Sequence, residues 1–325
     1  MTFFLRRFRR HRQQQTRCLP PLNWVQPWWV HRWREQNQQI ATDTPQSNKV
    51  ARSWTLLGNL ESPARIAVDR RGLVAARPGS WSLDWWLRVD DDWIFPSEHG
   101  AVRQRLIDGA PVVETVIRAA GGDLIHRVYA ARADSEYLIV EVDNQATRPV
   151  ALAWAIRPYD HLGGGRVENI GLEDRTLYID GQVGVICGRT PGRLVTGSGG
   201  VDPALSLDKT EESPKSVVCE QGMASAALIT PLVHGATLRC VVPLGAPPDS
   251  DPTSKLPTAS QVARGWGHHA VKASRFLLPP GHLNDVFDAA RQSLLLASTG
   301  EDLVPAPGGP PHTASDEAAV LIGLA

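Results

Sequence analysis

Apolar residues recur at every second position through the middle of the chain. Between Pro149 and Tyr159, Val150, Leu152, Trp154 and Ile156 fall on one side, and Ala151, Ala153, Ala155 and Arg157 fall on the other. That is the period of a strand. Residues 112–117, 124–131, 137–142, 175–180, 183–187, 216–220, 224–230 and 236–244 are further strand runs. The polar segment 132–136 reads as a hairpin loop. Short strands at close spacing, separated by Gly, Asp, Asn and Pro, predict a mainly β fold: a large antiparallel β-sandwich, or supersandwich. No helical period is visible between Val50 and Leu244.

After Leu244 the pattern changes. Residues 245–257 carry Pro247, Pro248, Pro252 and Pro257 among serines and aspartates, which reads as a linker. In 281–299, Leu283, Val286, Phe287, Ala290, Leu294 and Ala297 recur at three and four, which predicts a helix. Asn284 or Asp285 supplies its start and Gly300 its stop. Asp316 then sits in a good capping position for a second helix, 317–324, with Val320, Leu321, Ile322 and Leu324 as its apolar face. The expected division is a basic leader without fixed structure (1–48), a β-sandwich domain (49–250), a linker (251–280) and the start of a helical (α/α) domain (281–325). The last apolar face calls for a cover: either the chain stops early in a longer helical domain, or a partner subunit completes it.

The leader interleaves Phe3, Phe4, Leu5 and Phe8 with Arg6, Arg7, Arg9 and Arg10. Such a segment suits an anionic surface, but short charged stretches seldom order alone, and the unstructured reading is the expectation. Zero net charge and 42% apolar residues argue against a nucleic-acid binder and against global disorder. No apolar run is long enough to span a membrane, and glutamines follow the twin arginines where a secretory signal would be apolar. The four cysteines form no CxxC pair, and three of them (Cys187, Cys219, Cys240) lie in apolar runs. Buried free thiols, no metal, no cofactor and a cytoplasmic location are expected.

Candidate chemistry concentrates in 79–96, which holds Trp81, Trp85, Trp86 and Trp93 beside Asp84, Asp90, Asp91 and Asp92. Indole faces beside short carboxylates can stack a pyranose and accept its hydroxyls, which makes Trp85, Trp86 and Asp84 candidate sugar contacts. The same residues also suit core packing and turns. Strand alternation predicts Trp85 and Trp86 on opposite faces, one inward and one outward. Asp90 to Asp92 lack the terminal glutamate of a calcium loop and read as a solvated turn. Gly163 to Gly165 before Arg166 could cradle an anion but lack a P-loop's lysine. The adjacent His268 and His269 are badly placed to share a metal in a strand. Glu114, Asp160, Glu168 and Asp302 add further acids, yet the sequence pairs none of them.

The order of parts, with Arg71-Gly72-Leu73-Val74, Gly79 through Trp86, Asp92-Trp93, Arg103 through Leu106, Pro111 through Thr115 and His126 through Tyr129, resembles the six-hairpin, or (α/α)6-barrel, glycosidase-like proteins. That group includes glucoamylase-type and trehalase-type hydrolases. The resemblance covers about 50–325 and implies an N-terminal supersandwich packed against a barrel of helical hairpins. It implies a sugar-binding role for Asp316, at the place of the family's aromatic-x-Arg-Asp element. Here Ser315 replaces the arginine and the aromatic is absent, and an N-cap role explains Asp316 equally well. The family's general acid and base lie further into the barrel, so no catalytic residue is expected in this chain. The implied function is the non-catalytic N-terminal portion of a glycoside-hydrolase-like protein in carbohydrate metabolism. The implied partners are an oligosaccharide or glycoside and the helical barrel. The alternative is a self-contained carbohydrate-binding or structural module, which needs Trp81, Trp85, Trp86 or Trp93 exposed in a row.

Overall fold

The computed structural model describes residues 21–37, 47–50, 53–77, 80–119, 121–209, 214–272, 281–299 and 302–303. Two antiparallel sheets stack face to face. In one, the strands run in the order Trp54–Leu57, Ile66–Asp69, Val74–Ala75, Ser82–Val89, Val150–Arg157, Ser225–Leu232, Arg193–Gly197, with Asp92–Ile94 added beside Ser82–Val89. The other has nine strands and runs from Ser216–Val218 at one edge to Val102–Leu106 at the other, with Glu136–Asn144 and Gly122–Arg132 near its centre.

Local chemistry fixes the registers. The two-residue turn Asp180-Gly181 joins Thr176–Ile179 to Gln182–Cys187, and both residues have positive φ (49° and 75°). Asp-Gly is the sequence best suited to such a turn, because it matches the twist of the flanking strands. The expected hairpin through 132–136 closes with Arg132 opposite Glu136. The alternation of Val150–Arg157 holds: Val150, Leu152, Trp154 and Ile156 join the core between the sheets, and Ala153 and Ala155 face outward. A one-residue slip would exchange the two sets, so burial itself locks the register.

Both outer faces are covered. A helix, α1 (Trp28–Gln36), and the segment before it lie over the eight-stranded sheet, with Trp24, Val25, Trp29 and Val30 buried. Residues 21–37 therefore depart from the unstructured leader expected of them; tertiary contacts hold a nine-residue helix that has no side-chain cap. Residues 1–20 lie outside the described residues. Helix α2 (Ala259–Lys272) packs Ala259, Ala263 and Trp266 against Tyr129, Tyr137, Ile139 and Val241 of the nine-stranded sheet. It occupies much of the expected linker. Its start is a capping box: Thr258 N donates to Gln261 Oε1 at 2.8 Å, and Gln261 N donates back to Thr258 Oγ1 at 3.4 Å. Helix α3 (His282–Ala297) matches the predicted one, and Leu296 joins the same cluster. The second predicted helix, 317–324, and Asp316 lie outside the described residues.

Candidate functional site

The expected sugar contacts are closed off. Trp85 and Trp86 do point to opposite faces, but both are 0% exposed, and Asp84 is 2% exposed. Trp85 belongs to the core between the sheets, where it stacks on His126 with centroids 4.6 Å apart. Trp86 lies on the outer face under the N-terminal strap. Asp84 spends its oxygens on its neighbours, accepting from Trp85 N at 2.9 Å and from Trp86 Nε1 at 3.0 Å. Burial pushes its pKa up to about 6. A residue without an exposed face cannot stack a sugar, so Trp85, Trp86 and Asp84 are corrected from contacts to framework. Trp81 is also buried, and Trp93 donates to Asp208, so these four indoles form no exposed row.

What the outer face holds instead is a charge lock. Arg157 is fully buried and grips Asp202 with two bonds (Nη1 to Oδ1 at 2.5 Å, Nη2 to Oδ2 at 2.8 Å). Its Nη2 also donates to Val25 O at 3.0 Å, and its Nε donates to Tyr159 Oη at 3.1 Å. Asp202 Oδ2 accepts from Val25 N at 2.7 Å. The guanidinium carbon sits 4.9 Å from the Trp24 ring and 5.1 Å from the Trp86 ring. Burial opposes the Arg157 charge, but Tyr159 and Asp202 more than offset it, and its pKa is raised. This network is saturated and sealed by the strap, so it holds structure and offers nothing to a ligand.

The remaining candidates separate. Asp90 and Asp91 form the exposed turn expected of them between Ser82–Val89 and Asp92–Ile94, and Asp90 pairs with Arg148 at 2.7 Å. The glycine triplet is not an anion cradle. Gly163 and Gly164 pair with Asp160 and Tyr159, and a Cβ on Gly165 would lie 1.7 Å from Ser80 O. His268 and His269 lie on α2, not on a strand, and both are exposed. Glu114 pairs with Arg105 and Arg127, and Glu168 pairs with Arg166. His126 is buried, and burial lowers its pKa to about 3. Cys187, Cys219 and Cys240 are free and buried. Among the described residues no three His, Cys, Asp or Glu side chains gather as metal ligands. No helix among them is long and apolar enough to cross a membrane.

The open site lies where two sheet edges meet. A hollow of about 530 Å³ runs along the edge strand Trp54–Leu57 and faces the opposite edge strand Val102–Leu106. Trp28, Trp54, Arg70, Arg71, Gln104 and Arg105 line it. The Trp54 ring is half-buried and meets His161 edge-on, with centroids 5.6 Å apart. Arg70 and Arg71 come from the tight turn after Ile66–Asp69, where Asp69 Oδ1 accepts from Arg71 N at 2.7 Å and Leu73 N at 2.9 Å. Gly72, at φ 91°, lets that turn pass over Trp85 and His126; a Cβ there would lie 2.7 Å from Trp85 Nε1. Burial lowers the pKa of Arg71. A second hollow of about 500 Å³ continues past Trp54 to α3, where Leu56, Arg65, Leu106 and Leu296 line it. Sequence reasoning missed this cleft, because its residues come from α1, two edge strands and a turn.

No protein-family model matches the sequence, and none of the curated proteins matches it. Solved structures do. A bacterial glucoamylase complexed with acarbose aligns at TM-score 0.51 and 10% identity, over 77% of this chain and 42% of its own. A kojibiose phosphorylase from the human microbiome, itself described as a provisional assignment, aligns at TM-score 0.36 and 10% identity, over 77% of this chain and 34% of its own. A GH92 α-mannosidase from Bacteroides thetaiotaomicron aligns at TM-score 0.32 and 8% identity, over 78% of this chain and 39% of its own. The chain thus spans less than half the length of each. Over the aligned part, the chain shares the fold of that glucoamylase.

Proposed function

We propose that this chain is the non-catalytic N-terminal portion of a glycoside-hydrolase-like protein in carbohydrate metabolism, and that it braces a helical barrel. The observation that carries the reading is the two-sidedness of α3. Gln292 and Leu296 are buried on the sandwich side. Leu283, Val286 and Phe287 are 64%, 47% and 43% exposed. At about 100° per residue, those three project roughly opposite to Gln292 and Leu296. Such a stripe is the face a next helix would cover. Asp84, Glu114, Glu141 and Asp202 support the non-catalytic part, since each is buried and spent on neighbouring donors of the fold. Three buried free thiols support a reducing, cytoplasmic setting.

Two measurements test this. Purified chain incubated with maltooligosaccharides or trehalose is expected to release no glucose, and steady turnover overturns the non-catalytic reading. Leu283→Glu with Phe287→Glu is expected to lower the fluorescence of a dye that reports exposed apolar surface, with the unfolding midpoint held. Unchanged fluorescence means the stripe is not an open face and removes the support for bracing.

A further inference from the structure

The cleft between the sheet edges has a chemistry that bracing does not require. Its volume, about 530 Å³, lies within the ordinary range for small-molecule sites. Two half-buried indoles, Trp28 and Trp54, come from different elements, and His161 fixes the second of them. Flat apolar faces of this kind stack on a pyranose ring. The polar lining is basic. Arg105 is neutralised by Glu114, with Nε to Oε1 at 2.8 Å. Arg70 and Arg71 make no salt bridge among the described residues; Asp69 and Glu35 act on Arg71 only through space, and its Nε is buried with no hydrogen-bond partner. The nearest buried acid, Asp69, turns its Oδ1 to the backbone of its own turn, and burial pushes its pKa up to about 7. Gln104 spends its amide N–H groups on Asp69 O at 2.6 Å and Thr115 Oγ1 at 3.0 Å, which leaves its carbonyl as an acceptor.

Arg71 is half-buried with its Nε unpaired, Arg70 beside it is exposed, and a desolvated guanidinium N–H without an acceptor is costly to keep unless something anionic completes it. Its planar donor forks suit a carboxylate, phosphate or sulfate group. We infer that the cleft lined by Trp28, Trp54, Arg70 and Arg71 binds an anionic saccharide, with the sugar ring against the indoles and the acidic group on the arginines. The inference rests on the carbohydrate reading above but not on the bracing of a barrel.

Calorimetric titration of the full chain tests it, with glucuronic acid, glucose 6-phosphate, maltose and inorganic phosphate as probes. Heat is expected from at least one of the two acidic sugars, and their relative strength tells a carboxylate from a phosphate site. Maltose and inorganic phosphate are expected to bind at least about tenfold more weakly, since each supplies only half of the contacts. Arg71→Gln is expected to raise Kd by about tenfold or more, the loss of one charge-assisted pair. Arg70→Gln, at an exposed position, gives the same test in a variant whose folding is not at stake. Four outcomes overturn the inference: no heat from either acidic sugar at tens of millimolar, equal heat from inorganic phosphate, equal heat from maltose, or Kd unmoved in both variants. None of these touches the bracing reading, which the α3 variants decide separately.

Discussion

The two outer faces of the sandwich are covered in opposite ways. On the eight-stranded sheet, a strap from the N-terminal side is fastened by buried charge over Trp86 and its neighbours. On the nine-stranded sheet, α2 and α3 are laid down through apolar contacts and one polar cluster, and α3 carries an exposed apolar stripe on its far side. The first arrangement ends a structure. The second suits continuation in the bracing reading, because an exposed apolar stripe lowers its free energy only when something packs on it. The difference explains why the tryptophan-rich strand, the best-marked stretch of the sequence, is framework. Trp86 is large and carries an N–H that needs a partner, and Asp84 meets that need inside the fold.

The sharpest way to break the comparison is to unfasten the strap. Asp202→Ala leaves the Arg157 charge buried with its main partner gone and removes the acceptor for Val25 N. The expected loss is about 3–5 kcal/mol, the usual result of removing one member of a buried pair. Denaturant unfolding followed by tryptophan emission reads it, since Trp24 and Trp86 should wet together. A loss under about 1 kcal/mol would mean that the strap is held by packing alone and the two covers are alike.

On the helical side the equivalent test is smaller. Tyr129 Oη donates within reach of Glu141 Oε2 at 3.0 Å and Pro257 O at 3.2 Å, and it accepts from Arg239 Nη2 at 3.2 Å. It ties the strand to the lead-in of α2. Tyr129→Phe is expected to cost about 1–2 kcal/mol, because buried acceptors lose a donor while the ring packing stays. Hydrogen exchange should place the loss in α2 before it reaches the strands.

That lead-in is legible in the sequence, although the prolines before it suggest a linker. Thr258-Ala259-Ser260-Gln261 is a capping box, and Ala259, Ala263 and Trp266 recur at four and three. Gly265, Gly267 and two histidines inside the same segment masked the period, since glycine weakens a helix by about 1 kcal/mol. The strands were plain because each buries one face and alternates accordingly. Helix α1 was not legible at all. It has no side-chain cap, and the groups that fasten Val25 in the segment before it, Arg157 and Asp202, lie more than a hundred residues away. The cleft failed for a related reason: Trp54, Arg71 and Gln104 mean little apart, and only the meeting of two sheet edges brings them together. Alternation did predict that Trp85 and Trp86 face opposite ways, but it carries no information about whether the outer face is covered.

A third test reads as a slope with pH. Asp69 is buried, and its folded pKa is pushed up to about 7 from an ordinary value near 3.8. The folded state therefore holds its proton more tightly. The stability this contributes is full below about pH 4 and is lost as pH rises through about 7. His126 works the other way: its folded pKa is lowered to about 3, so its contribution is full above about pH 6.5 and fades as pH falls. Asp69→Asn imitates the protonated acid and keeps the acceptor for Arg71 N and Leu73 N. The stability of the natural chain relative to this variant should decline between about pH 4 and pH 7. A flat difference would show that Asp69 is ionised in the fold, and Arg71 beside it would then be neutralised, which weakens the case for an anionic ligand there.

The smallest expected effect is the most telling about α3. Leu296 and Leu283 lie on one helix, one 5% exposed and the other 64% exposed. Leu296→Ala is expected to cost about 2–3 kcal/mol, the lower part of the range for a buried leucine, because the hollow beside it lets neighbours relax. Leu283→Ala is expected to change stability by less than about 0.5 kcal/mol, the usual result at an exposed site. Thermal unfolding of the two variants side by side checks the contrast. A cost above about 1 kcal/mol at Leu283 would place a packed neighbour on that stripe within this chain, and the second cover would then be as closed as the first.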